Sequence, residues 1–158
     1  MAVESAADLI AAAINRRPGL DEAGRAAVSW ALKEKIRVYI DANLGDPELG
    51  PDSLQRTFRI SRATLYRSFA AESGVAQYIL KRRLELAFRR LRDAHRTTGS
   101  ITSLAYSLGF SSPSVFTRAF KRRFGATPKE VRHLATRSAE LPGEGAGDRL
   151  WERWLADF

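Results

Sequence analysis

Apolar residues recur at intervals of three and four along most of the chain, and no stretch alternates with the period of two that a half-buried strand requires. The pattern predicts an all-α protein. A small Ala-rich helix runs from Ser5 to Asn15, capped at or beside Ser5 and ended by Arg16-Arg17-Pro18-Gly19. A longer helix follows from about Asp21 to Asn43, with Val28, Leu32, Ile36 and Tyr39-Ile40 on one stripe and Gly45-Asp46-Pro47 closing it. Asp52-Ser53-Leu54-Gln55 has the form of a capping box and opens a short helix to Phe58. Ser61 heads the next helix, from Arg62 to about Ala71, which Gly74 stops.

From Val75 to Asp93 the pattern is one long helix, with Tyr78, Ile79, Leu84, Leu86-Ala87 and Leu91 inward and Lys81, Arg82, Arg89, Arg90 and Arg92 around them. The earlier grammar then repeats. Ser100 caps Ile101 to Leu108, Gly109 makes a turn, Ser112-Pro113 opens a helix to Phe124, and Gly125 ends it. Thr127-Pro128 starts a last helix to about Thr136. The middle of the chain therefore holds one unit twice: a short apolar helix, a tight turn, and a Ser-headed helix carrying arginine and aromatics. Leu54, Leu65 and Phe69 in the first copy play the parts of Leu104, Phe116 and Phe120 in the second.

Charge adds to this picture because it is uneven. The formal net charge is +8, yet residues 33–133 alone carry 20 lysines and arginines against 9 acids, a net of +11. That excess suits a polyanion: DNA, RNA or an acidic membrane surface. The absence of cysteine excludes disulfides and thiolate metal sites. The apolar run Leu9 to Ile14 is too short to cross a bilayer and is flanked by Glu4 and Asp8 rather than by positive charge. No membrane partner and a cytoplasmic location are expected.

A helix that reads DNA from the major groove must be apolar behind and polar or cationic in front. Residues 62–69 meet that demand, with Leu65 and Phe69 inward and Arg62, Ala63, Tyr66 and Arg67 outward. In the second copy Val115 or Phe116 packs inward with Phe120, leaving Pro113, Ser114, Thr117, Arg118 and Lys121 outward. Arg67 and Arg118 are the sharpest candidates for the fork that pairs with guanine, with neutralisation of a phosphate as the alternative. Ala63 and Thr117 fit a thymine methyl, and Tyr66 fits either a methyl or a phosphate. Ser61, Arg82, Ser112, Lys121, Arg122 and Arg123 are the expected phosphate contacts, which supply affinity without sequence information. For Arg83, beside Leu84, an internal salt bridge competes with that role.

Residues from about Leu32 to Arg132 resemble the DNA-binding domain of the AraC/XylS family of bacterial regulators. The second unit carries the resemblance most fully, in Ile101, Leu104-Ala105, Gly109-Phe110, Phe116, Arg118, Phe120, Phe124-Gly125 and Pro128. The first carries it in Ile60-Ser61, Leu65, Arg67, Phe69 and Gly74, and the bridging helix in Arg83-Leu84 and Ala87; Gln55-Arg56 departs from the family's usual Leu-Ala. The resemblance implies two homeodomain-like helix-turn-helix lobes, at 32–74 and 96–136, joined by a linker helix at 75–95. It also implies a transcriptional activator placing both recognition helices in successive major grooves of double-stranded DNA. A helix of about 18 residues spans about 27 Å while neighbouring groove segments lie about 34 Å apart, so either the lobes splay or the DNA bends.

The resemblance further implies RNA polymerase as a partner, and a small-molecule inducer acting only through a sensor domain that this chain lacks. Residues 1–31 are similar to the closing helix and linker of such a domain, so the chain reads as a fragment, monomeric by itself, of a regulator able to dimerise when whole; a natural short regulator is the rival reading. At 137–158 a Gly-rich linker leads to a helix with Leu150, Trp151, Trp154, Leu155 and Phe158 on one face, suited to docking on its own protein or on another subunit. An enzyme is not expected: His95 and His133 are solitary, no metal-ligand pair, phosphate-cradling loop or nucleophile motif appears, and no cofactor is expected. The remaining alternative is a protein-interaction module that binds DNA weakly and without sequence preference.

Overall fold

The computed structural model describes residues 22–93 and 99–139, which contain seven α-helices and, among those residues, no strand. The expected lead-in helix at 5–15, His95, the Gly-rich linker and the Trp-bearing segment at 150–158 lie outside the described residues. The helices are α1 (Glu22–Ala42), α2 (Pro51–Phe58), α3 (Arg62–Ser68), α4 (Val75–Arg92), α5 (Ile101–Ser107), α6 (Pro113–Phe124) and α7 (Pro128–Ala139), with a 3₁₀ turn at Ala70–Glu72 after α3. The chain divides into two compact units, Met1–Arg82 and Arg83–Phe158, so the boundary falls inside α4.

In the first unit, Leu32, Ile36 and Ile40 of α1 are buried with Leu54 and Phe58 of α2, and with Leu65 and Phe69 at α3. The Tyr39 ring meets Phe58 edge-on at 5.4 Å between centroids. α2 begins one residue before the expected box. Gly50 is its N-cap, and the Ser53 hydroxyl accepts from the Gly50 N–H at 3.0 Å. Glycine has no side chain to return the bond, so this is half a capping box, while Asp52 lies within the first turn and Gln55 donates to the Pro51 carbonyl. α2 closes through Arg59 in the left-handed region at φ 49°.

α3 is shorter than its pattern predicts. Ser68 turns its hydroxyl back onto the Thr64 carbonyl at 2.9 Å, and the chain tightens into the 3₁₀ turn before reversing through Ser73 and Gly74, at φ 60° and 97°. At φ 97° a β-carbon is strained whatever the space around it, which is why glycine stands there.

α4 has no core of its own. Val75 and Ile79 are buried in the first unit, and Leu84, Ala87, Phe88 and Leu91 in the second. The second unit is built on a run of aromatic contacts. Phe116 lies 5.0 Å from Phe110 and 5.6 Å from Phe120, and Phe124 lies 4.7 Å from both Phe120 and Phe88. Gly109 at φ 71° makes the turn between α5 and α6, and Gly125 at φ 73° ends α6. Thr127 and Glu130 form a full capping box at the start of α7: Thr127 N–H donates to the Glu130 carboxylate at 2.7 Å, and Glu130 N–H donates to Thr127 Oγ1 at 3.3 Å. The Thr127 N–H bond, joined by one from the Thr127 hydroxyl at 2.8 Å, holds the Glu130 carboxyl below the usual carboxylate range. α7 runs to Ala139, three residues past its expected end.

Candidate nucleic-acid interface

Each unit presents one Ser-headed helix. In α3 the Ser61 hydroxyl accepts from Thr64 N–H at 3.1 Å, and in α6 the Ser112 hydroxyl accepts from Val115 N–H at 3.3 Å. Both serines spend acceptor capacity on the cap, which leaves the hydroxyl hydrogen as the group a phosphate oxygen would take. In Ser61 that hydrogen has a competitor, since Thr64 Oγ1 is 2.9 Å away.

The outward face of α3 is as expected: Arg62, Ala63, Tyr66 and Arg67 are all exposed, while Leu65 is fully buried. The Arg62 guanidinium lies 5.1 Å from the centre of the Tyr66 ring, a cation–π contact within one turn. In α6 Phe116 is the residue that packs inward with Phe120, and both are fully buried. Ser114 and Arg118 are exposed, and Pro113 and Thr117 are half-buried.

Val115, for which the sequence left both directions open, is 42% exposed. At about 100° per residue it stands roughly 60° from Arg118 around the helix axis, on the outward side. An exposed valine on a polar face has the chemistry to meet a thymine methyl, and the sequence alone did not place it there. The missing signal was azimuth: with adjacent apolar residues, only the spacing of both to Phe120 separates the inward one.

The same wheel separates the cations of α6. Relative to Arg118, Lys121 lies about 60° to one side and Arg122 about 40° to the other, while Arg123 is about 140° away. All three are exposed. Arg123 is stacked at 5.6 Å over the Phe124 ring at the margin of the core, so of the three expected phosphate contacts it is the one turned from the reading face.

Two further cations have partners within their own units. Arg82, read as a phosphate contact, is held as a fork by Asp41, Nε to Oδ1 at 2.8 Å and Nη2 to Oδ2 at 2.9 Å; a phosphate would have to displace a carboxylate of the same unit. Arg83, read as a backbone grip or an internal ion pair, donates to the Gly109 carbonyl at 3.2 Å.

Behind α3 sits an ion cluster that sequence reading did not find. Lys33 Nζ and Arg37 Nη2 reach Glu72 Oε1 at 2.8 and 2.7 Å, and Arg37 Nη1 reaches Glu34 at 2.8 Å. Lys33 also lies over the Phe69 ring and Arg37 over the Tyr78 ring. The Lys33 hydrogen bond, aided by Arg37 and opposed by burial, holds the Glu72 carboxyl below its ordinary range. The repeat marks the position, because an acid, Glu72, stands where the second copy has Arg123, but it does not name the partners. Among the described residues no group of His, Cys, Asp or Glu is placed to hold a metal ion, and no helix is long and apolar enough to cross a membrane.

Comparison with known proteins places this geometry. A family model described as a helix-turn-helix domain matches residues 54–133. The transcriptional activator RhrA of Rhizobium meliloti is 32% identical over 101 residues, covering 63% of this chain and 32% of that protein. The regulatory protein SoxS of Escherichia coli K12 is 34% identical over 102 residues, covering 63% of this chain and 92% of that one. A solved transcriptional regulator from Chromobacterium violaceum, described as having an AraC-type DNA-binding domain, superimposes with a TM-score of 0.60 at 28% identity, over 74% of this chain and 99% of that one. The chain thus spans about a third of RhrA and nearly all of SoxS.

Proposed function

Because the chain belongs to the AraC-type family of helix-turn-helix DNA-binding regulators, we propose that it is a sequence-specific transcriptional activator that reads double-stranded DNA with α3 and α6. The observation that carries this reading is the repeated arrangement of a capped helix with its aromatic side buried and an exposed arginine, Arg67 or Arg118, at the equivalent outward position. Such an arginine pairs with the O6 and N7 of guanine, and an exposed Ala63 or Val115 meets a thymine methyl. Lys121 and Arg122 grip backbone beside the second groove. The protein works in the cytoplasm, acts without catalysing a reaction, and meets RNA polymerase at the promoter.

Selection of bound duplexes from a random pool tests the proposal. The expected product is a non-palindromic site of two boxes about one helical turn apart. With Arg118→Ala, the second box relaxes at one base pair. Recovery of no preferred sequence, with only salt-sensitive binding to any duplex, would favour the interaction-module reading.

A further inference from the structure

The two recognition helices share a plan but diverge sharply after their common arginine. Aligning Arg67 with Arg118 and Phe69 with Phe120 sets Ala70, Ala71 and Glu72 against Lys121, Arg122 and Arg123. In the second unit those residues continue the helix, so α6 has 12 residues where α3 has 7. Lys121 and Arg122 flank Arg118 on its two sides and are exposed. In the first unit Ala70 and Ala71 are exposed but uncharged, and Glu72 is turned inward onto Lys33 and Arg37.

The wider charge distribution runs the same way. Residues 22–82 carry 10 lysines and arginines against 7 acids, and residues 83–139 carry 12 against 3. Several of the first unit's cations are already paired within it: Lys33 and Arg37 with Glu72, Arg37 with Glu34, and Arg82 with Asp41. A phosphate that approached them would have to compete with a carboxylate.

Resting on the DNA-reading function above, we propose that the units divide the work: the second is the electrostatic anchor, gripping phosphates on both sides of the groove with Lys121 and Arg122, and the first contributes mainly discrimination. Binding strength then depends on salt chiefly through α6. The first box is read by a helix with exposed Arg62 and Arg67 but no cation after Arg67 to match Lys121 and Arg122, so a wrong base there is less compensated by backbone attraction on that side.

The experiment is the dependence of duplex binding on salt, measured with the whole chain on its selected site. Each phosphate contact contributes about 0.9 to the slope of log affinity against log salt. Lys121→Ala with Arg122→Ala should flatten the slope by about 1.8. Arg123→Ala, equal in charge but turned to the core margin, should change it by much less. The reverse graft, Ala70→Lys with Ala71→Arg, uses two exposed positions and should steepen the slope by up to about 1.8 while reducing the preference for the correct first box. The division of labour is overturned if the Lys121/Arg122 pair leaves the slope unaltered, if Arg123→Ala matters as much as that pair, or if the graft is silent. In each of those cases the unaltered chain still selects a site and the regulator reading stands; failure of the unaltered chain to prefer any duplex would defeat both.

Discussion

The Arg83 guanidinium donates to the Gly109 carbonyl at 3.2 Å, joining the middle of α4 to the turn between the two helices of the second helix-turn-helix. The turn's left-handed glycine, at φ 71°, decides the direction in which α6 leaves α5. A charged donor on that carbonyl therefore fixes the recognition helix from behind. Arg83→Ala should lower stability by about 1.5–3 kcal/mol, the usual worth of a hydrogen bond from an ionised group, and weaken binding to the second box more than to the first. Thermal unfolding and binding to duplexes altered in one box at a time would check it. Arg83→Lys should restore part of it, since an ammonium can still donate to the carbonyl but lacks the rigid guanidinium that positions the bond.

For the reading faces, Arg67→Ala and Arg118→Ala should each cost about 1–3 kcal/mol of discrimination at one base pair. Both side chains are exposed, so the unfolding temperature should hardly move. Uniform weakening across all sequences, in a competition assay, would show that the arginines touch only phosphate.

Glu72 makes stability depend on pH. Its folded-state carboxyl is depressed, mainly by the Lys33 hydrogen bond, so its contribution is fully present above the ordinary carboxylate range. That contribution is lost as the pH falls through this range toward the depressed native value. Glu72→Gln should lower stability near neutrality by about 1–2 kcal/mol and make the acid limb of the stability profile shallower. Chemical denaturation at a series of pH values is the measurement.

In the second core, Phe116 is fully buried and touches both Phe110 and Phe120. Phe116→Ala should cost about 3–5 kcal/mol through lost burial and the cavity left behind. Val115→Ala, one residue away, should cost little stability and act on DNA preference instead. A calorimetric comparison of the two variants tests the direction each side chain takes.

Much of the architecture was legible in the repeated Ser-headed helices. Ser61, Ser100 and Ser112 all cap as their positions imply, and Leu54, Leu65, Phe69, Leu104, Phe116 and Phe120 are all buried. Periodicity failed where apolar residues are adjacent. In Leu86-Ala87-Phe88 the pattern gave Leu86 and Ala87 to the core, but Phe88 is buried and Leu86 is half-exposed. α4 serves two units in succession, so no single stripe describes it. Long-range ion pairs were harder still. Nothing local in the sequence tells Arg82 to meet Asp41, 41 residues away, or Glu72 to meet Lys33. Such partners depend on how α1, the 3₁₀ turn and α4 come together, and helical spacing carries no information about that.

If α6 enters the major groove as proposed, the exposed Val115 adds to its surface a response that a hydrogen-bonding side chain does not give. A hydrocarbon side chain facing the groove reports on the presence of a methyl group, whether the ring beneath is thymine or a cytosine carrying one. Under that proposal, occupancy of a site would follow cytosine methylation without any change in the genetic text.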